Sequence, residues 1–251
     1  MTLAPPLTPR PRPRPRLRAG TRRSRAGLVT VAVLAAAIAL VSVVLYASGS
    51  LAALAEEGVG LASTYAGAPG FFRLALYAHI GSASLALASG PAQFSARLRR
   101  RFPRGHRVVG RTYLGSVALG ALTGLLILPV NSAGWAGVFG FGALASLWGW
   151  TGWNAYRSIR AGDVAGHRSW VFRNYALTFA AVTLRLWTVA LVALSTALGG
   201  VGADPEALFQ DAYLATPFLC WLPNLLVAER LVRRRGLPSY RLVAAPAPAR
   251  A

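Results

Sequence analysis

Lysine is absent from this chain. All 27 basic residues are arginine, and with seven acidic residues they give a net charge of +20. With abundant alanine and glycine, the missing lysine reads as the codon bias of a GC-rich coding sequence. Cysteine is nearly absent as well. Cys220 stands alone, which excludes an intrachain disulfide and leaves it as a small apolar residue within a helix. Charge is scarce at 14% of residues, where a soluble domain carries roughly 25%. There is no Gly-x-x-x-x-Gly-Lys phosphate loop, no Gly-x-Ser-x-Gly nucleophile elbow and no His-Glu-x-x-His zinc spacing. Familiar soluble chemistries therefore have no foothold here.

What is present is apolar length. Hydrophobic residues make up 55% of the chain. They fall in six blocks, 27–48, 70–94, 112–130, 135–156, 171–198 and 207–230, each near the ~20 residues that span a bilayer. The blocks are continuous rather than alternating ~10-residue strands, so they predict helices, not a barrel. The fold class is an all-α polytopic membrane bundle of six transmembrane helices. Small residues at four-residue spacing, Ser116, Gly120 and Gly124, and again Gly142 and Ser146, predict close helix packing. Trp135, Trp148, Trp150, Trp153, Trp170 and Trp221 lie mostly near block ends, as an aromatic belt requires. Pro217 and Pro223 predict a kinked or opened last helix.

The connections alternate in charge. Residues 49–69 carry Glu56 and Glu57, while 95–111 carry seven arginines. Residues 131–134 are uncharged. Residues 157–170 hold Arg157, Arg160 and Arg168 against Asp163. Residues 199–206 hold Asp204 and Glu206, two solvated loop charges, and Arg230, Arg233, Arg234 and Arg235 follow the last block. Only Arg73 and Arg185 break the pattern. The positive-inside rule then puts both termini in the cytoplasm. Residues 1–26, with Arg10 to Arg16 alternating with proline, predict a disordered cytoplasmic arm that attracts anionic lipid. Thr21-Arg22-Arg23 resembles a twin-arginine signal, but the apolar run that follows is too long for one and reads as an uncleaved helix. Residues 231–251 predict a basic, then Ala/Pro-rich, cytoplasmic tail. The +20 charge lies beside apolar blocks, so the expected partners are the bilayer and anionic lipids rather than nucleic acid. Nothing in the sequence specifies an oligomeric state.

Six ordered motifs occur together: Tyr77-Ala78-His79-Ile80-Gly81, Gly90-Pro91-Ala92-Gln93-Phe94, His106-Arg107-Val108-Val109-Gly110-Arg111-Thr112-Tyr113, His167-Arg168-Ser169-Trp170, the stretch Tyr175 to Arg185, and Trp221-Leu222-Pro223-Asn224-Leu225-Leu226. In these the chain resembles the bacterial predicted membrane protein family called domain of unknown function 2306, over about 70–230. Val171 stands where the family would have methionine. The resemblance implies an integral protein of a bacterial inner membrane and no reaction; it covers the last five apolar blocks, a five-helix membrane domain, and leaves the first helix and both tails largely outside.

Chemistry must therefore come from polar residues within or beside the apolar blocks, where charge is expensive and by default suggests function. Counted at 1.5 Å per residue from the arginine-rich end, His79 lies about 22 Å up and Arg185 about 21 Å up, at one level. Asp211 lies about 28 Å up. His79, Arg185 and Asp211 are a candidate intramembrane pocket, with Tyr77 or Tyr213 beside it and an Arg185–Asp211 pair to offset burial. The bland alternative is a structural ion pair plus a hydrogen-bonded histidine. At the cytoplasmic face, His106 heads Arg107 and Arg111, and His167 heads Arg168 and Arg173. These six residues are a candidate site for haem b, a quinone head group or a phosphate-bearing lipid. The bland alternative is anchoring on generic lipid phosphates. His106 and His167 share a depth that His79 does not, which allows one haem at the cytoplasmic face or a single-ligand haem at His79; a two-haem path takes four histidines, and the chain has three. A proton-coupled small-solute transporter or channel using His79, Arg185 and Asp211 is the competing function, although no inverted repeat is visible. No enzymatic reaction is assigned.

Overall fold

The computed structural model describes residues 20–58, 61–198 and 205–239, and the regular structure within them is helical. α1 runs Gly20–Ala47. Two short helices, α2 (Leu51–Glu56) and α3 (Ala62–Ala66), lead into α4 (Gly70–Gln93). The basic α5 (Ala96–Arg101) turns the chain into α6 (Pro103–Leu126), and α7 (Gly134–Arg160) follows. Then come α8 (Val164–Thr178), α9 (Ala180–Ala197), α10 (Pro205–Leu219) and α11 (Leu222–Arg234). The arm at 1–19 and the tail from 240 onward lie outside the described residues, while 20–26, read from the sequence as arm, already belong to α1.

Four helical stretches are long and apolar enough to cross a bilayer: Ala26–Ala47, Gly70–Gln93, Pro103–Leu126 and Val164–Ala197. The expected six spans become these four, the less apolar 27-residue α7, and a last block divided into α10 and α11. The division follows from proline. Pro217 cannot donate to the carbonyl of Tyr213, and Thr216 Oγ1 donates to that oxygen instead, at 2.8 Å. The helix then opens at Cys220 and Trp221, where Asn224 Nδ2 donates to the Cys220 carbonyl at 3.0 Å and Trp221 Nε1 to the Pro217 carbonyl at 2.8 Å. Side chains thus satisfy backbone that lipid cannot. A shallower break at Phe179 separates α8 from α9. Thr178 Oγ1 donates back to the Asn174 carbonyl at 3.0 Å, a contact that bends helices.

Local signals set the corners. Gly162 takes a left-handed φ of 76° after α7, and Asp163 caps α8 by accepting from the Gly166 N–H at 2.8 Å. Ser95 caps α5 in the same way. Successive long helices pack as neighbours, α4 on α6, α6 on α7 and α7 on α8, with α11 also on α8. α1 leans on α4 and α9, and α10 on α9 and α7.

Two glycines allow close approaches that shape the interior. A Cβ at Gly90 would stand 2.1 Å from the Tyr175 ring, and one at Gly120 would stand 2.7 Å from the Trp148 ring. The Ser116–Gly120–Gly124 ladder is buried, whereas Ser146 of the second ladder is exposed. The tryptophans divide: Trp135, Trp150 and Trp153 are exposed, but Trp148, Trp170 and Trp221 are buried core residues, not a belt. Sequence distance from a block end says nothing about which way an indole faces.

Candidate functional site

A cavity of about 250 Å³ opens inside the bundle, on the half away from the arginine-rich loops. α1, α4, α6, α7, α8, α9 and α10 all contribute to its wall. Most of the lining is aliphatic or aromatic, with Ile80, Ala83, Leu87, Phe141 and Leu144 among it. The polar groups are few: His79, Arg185, the phenols of Tyr46, Tyr65 and Tyr213, and the hydroxyls of Ser42, Ser84 and Thr178.

His79 is held by α6. Its Nδ1 lies 2.9 Å from the Gly120 carbonyl. A carbonyl only accepts, so Nδ1 carries a proton, and a neutral ring in this orientation has its lone pair on Nε2. Gly124 makes room for the ring, since a Cβ there would come within 3.2 Å of its Cε1. Arg185 donates to the Ala181 carbonyl at 2.7 Å and to Ser42 Oγ at 2.8 Å, and the Tyr46 and Tyr213 phenols lie within electrostatic reach. α2 and α3 close the cavity from the far side, their Leu51, Leu54, Ala62 and Tyr65 forming a small core with Leu76 of α4. Tyr46 accepts from the Leu61 N–H at 3.2 Å and ties that cover to α1. A groove on the α1–α4 surface, between Val43, Ala47, Tyr77 and Gly81, shares Tyr46 and Ile80 with the cavity.

A buried polar layer lies on the side of the cavity where α6, α7 and α8 meet. Tyr113 Oη donates to Asn174 Oδ1 at 2.5 Å and lies 2.9 Å from Thr178 Oγ1. Trp148 Nε1 donates to Thr178 Oγ1 at 2.8 Å, and Asn174 Nδ2 donates to the Trp148 carbonyl at 2.8 Å and Thr151 Oγ1 at 2.9 Å. Thr178 and Trp148 also line the cavity, so a satisfied network holds that part of the wall rigid. These residues sit within or between the motifs that carry the family resemblance. A model of that family, described as predicted membrane protein (DUF2306), matches residues 76–232, more than half of the chain. The chain belongs to this DUF2306 family. The matched segment contains His79, Arg185, Tyr213 and the whole polar layer, and leaves Ser42, Tyr46 and Tyr65 outside it. No curated protein and no solved structure matches the chain significantly.

Of the intramembrane trio, the fold brings His79 and Arg185 to one cavity and leaves Asp211 out. Asp211 is exposed and does not line the wall, so the expected Arg185–Asp211 pair does not form. It lies on a different face of α10 from Tyr213, which is buried and does line the cavity. Tyr77, the other expected neighbour, lines the outer groove instead. The sequence reading missed Tyr46 and Tyr65. Their only signal is a phenol at the far end of an apolar block or in the connection after it.

The arginine-rich end is rearranged more heavily. His106 and His167 come within electrostatic reach of each other, and Arg99, not singled out in the sequence, reaches both. His167 Nδ1 lies 2.9 Å from the Ala155 carbonyl, so it too donates there and keeps its Nε2 lone pair. His106 Nδ1 is buried with no partner, as is Gln93 Nε2. Arg107, Arg111 and Arg168 are exposed. Arg173 departs most from expectation. It is buried rather than waiting at the surface, and Nε and Nη2 donate to Glu229 Oε1 and Oε2 of α11 at 2.5 and 3.0 Å. Nη1 donates to Ser169 Oγ, and the guanidinium carbon lies 5.0 Å from the Trp170 ring centre. Its charge is already matched, so it is a structural residue and not a phosphate ligand. Among the described residues, no group of three or more His, Cys, Asp or Glu is placed to hold a metal ion.

Proposed function

We propose that this membrane protein binds one small, lipid-soluble molecule in the intramembrane cavity, through an oxygen-bearing head held by Arg185 and His79. The observation that carries the reading is the cavity itself, a mostly apolar space with two convergent nitrogen-bearing side chains, the usual make-up of a ligand site. Its size sets the ligand. An apolar cavity of about 150 Å³ holds benzene, so 250 Å³ takes a single substituted ring. A quinone head group and a small aromatic acid both belong to this class. The groove between α1 and α4 supports entry from lipid, because only Tyr46 and Ile80 are common to both spaces. The reading includes six membrane crossings in a bacterial inner membrane, with α5 and both termini on the cytoplasmic side. Purified protein in nanodiscs, titrated with 2,3-dimethoxy-5-methylbenzoquinone and with 4-propylbenzoate, should show saturable binding of at least one by calorimetry. Ala83→Phe, which fills the cavity, should abolish it. Binding that survives Ala83→Phe unchanged places the ligand elsewhere and ends this reading.

A second reading concerns haem b at the arginine-rich end. It is favoured by the approach of His106 to His167 and by the tautomer of His167, whose Nδ1 donates to a carbonyl as iron-ligating histidines do. His106 lacks such a partner, so only one of the two rings is prepared for iron. Protein expressed with added haem precursor and purified without a Soret band rules it out. The exposed arginines here are left to anionic lipid head groups, and native mass spectrometry should find such lipids retained.

A further inference from the structure

The chain contains two arginines that the bundle draws inward, and it treats them differently. Arg173 meets a carboxylate through two nitrogens. Arg185, twelve residues further along the same 34-residue apolar stretch, meets none among the described residues. Its two hydrogen bonds go to a carbonyl and a hydroxyl, and a guanidinium has five N–H donors. Among the described residues, the ionisable side chains within its electrostatic reach are the phenols of Tyr46 and Tyr213, which offer dipoles and no compensating charge at neutral pH. Asp211, the carboxylate closest to its level in sequence terms, faces away. An uncompensated cation in a low-dielectric site is costly, and proteins normally match it. Here Arg185 also lines a cavity large enough for a ring.

The geometry points to an anionic ligand: the cavity takes a single-ring carboxylate whose acid group supplies the counter-charge missing from Arg185. This rests on the cavity being a ligand site, as proposed above, and narrows the class to acids. The guanidinium fork suits a carboxylate held through two hydrogen bonds. Ser42 orients that fork from α1: its Oγ donates to the Ile38 carbonyl at 2.8 Å and so presents a lone pair to Arg185. The ring would lie against the aliphatic wall of Ile80, Ala83 and Leu144. His79 adds a second hydrogen-bonding contact through Nε2.

The test compares two molecules of the same shape, 4-propylbenzoate and 4-propylbenzamide, on full-length protein in nanodiscs of zwitterionic lipid. Calorimetry should show the acid binding at least ten-fold tighter than the amide. Arg185→Gln should erase that preference, and Arg185→Lys should keep part of it. If Arg185→Gln does not fold, the wild-type ratio and the lysine variant still decide. Equal affinities for acid and amide in the wild type overturn the inference while leaving the cavity reading standing. Acid preference that persists in Arg185→Gln overturns it too, by placing the carboxylate elsewhere. No binding of any ring, quinone included, overturns both.

Discussion

Removing the Glu229 carboxylate should be among the most damaging single changes in this protein. Arg173 is 1% exposed and its partner 14%, so water reaches the edge of the acid but not the guanidinium. Breaking a buried pair by deleting one member costs about 3–5 kcal/mol, because the remaining charge stays in low dielectric. Two contacts soften the loss: Ser169 Oγ still accepts from the guanidinium, and the Trp170 ring lies 5.0 Å from its centre, a cation–π contact of about 1–2 kcal/mol when desolvated. Glu229→Ala should therefore fall near the lower end of the range, at about 3 kcal/mol. Replacing both partners by apolar residues, Arg173→Met with Glu229→Leu, should recover most of that, giving a coupling energy of about 2–3 kcal/mol. Equilibrium unfolding in mixed micelles measures Glu229→Ala, and the single variants Arg173→Met and Glu229→Leu with their double close the cycle. A cost below about 1 kcal/mol for Glu229→Ala, with no coupling in the double variant, would refute the view that this pair joins α8 to α11.

Arg185→Leu should behave in the opposite way. With no carboxylate stranded, ligand-free stability in the same assay should change by less than about 1 kcal/mol, and a loss as large as that of Glu229→Ala would mean that a counter-charge exists. Gly90→Ala must displace the buried Tyr175 ring, which packs against Phe94 and Phe179. It should cost about 3 kcal/mol, the upper part of the overpacking range; a neutral result would mean the α4–α8 contact is looser than drawn. For topology, single cysteines at Ala52 and Arg100 in a Cys220→Ala background should react differently with an impermeant maleimide added to intact cells. Ala52→Cys should label and Arg100→Cys should label only after permeabilisation, and the reverse result would invert the orientation.

Much of the site was legible along the helix axis and little of it around that axis. Counting 1.5 Å per residue from the arginine-rich end puts His79 and Arg185 at one level, and both line one cavity. The same count leaves Asp211 near them, but α10 turns that carboxylate outward and presents Tyr213. Arg173 reads from the sequence as a ligand-facing partner of His167 and Arg168 at the cytoplasmic face, with no carboxylate assigned to it. Its meeting with Glu229 depends on the break at Cys220 and Trp221, which redirects α11 across α8. Trp148 and Trp170 were similarly misplaced, because nearness to a block end fixes height and not the direction of a side chain. The Phe179 break had no proline or glycine to announce it. It comes with a threonine that bonds back to its own helix.

The sequence by itself determined that this is a helical membrane protein of the DUF2306 family, how charge alternates between its apolar runs, and where along each run the polar residues fall. Apolar run length, proline and arginine are local quantities, and bilayer thickness converts them directly into spans and depths. Only the tertiary structure decided which polar groups meet. It spent Glu229 on Arg173, left Arg185 without a carboxylate beside a 250 Å³ cavity, and drew Tyr46 and Tyr65 from outside the family segment into the wall. That outcome depends on helix rotation and on where α8 and α10 end, which are set by close contacts such as Gly90 with Tyr175 and Gly120 with Trp148. Such contacts join residues far apart in the chain, and no local pattern contains them.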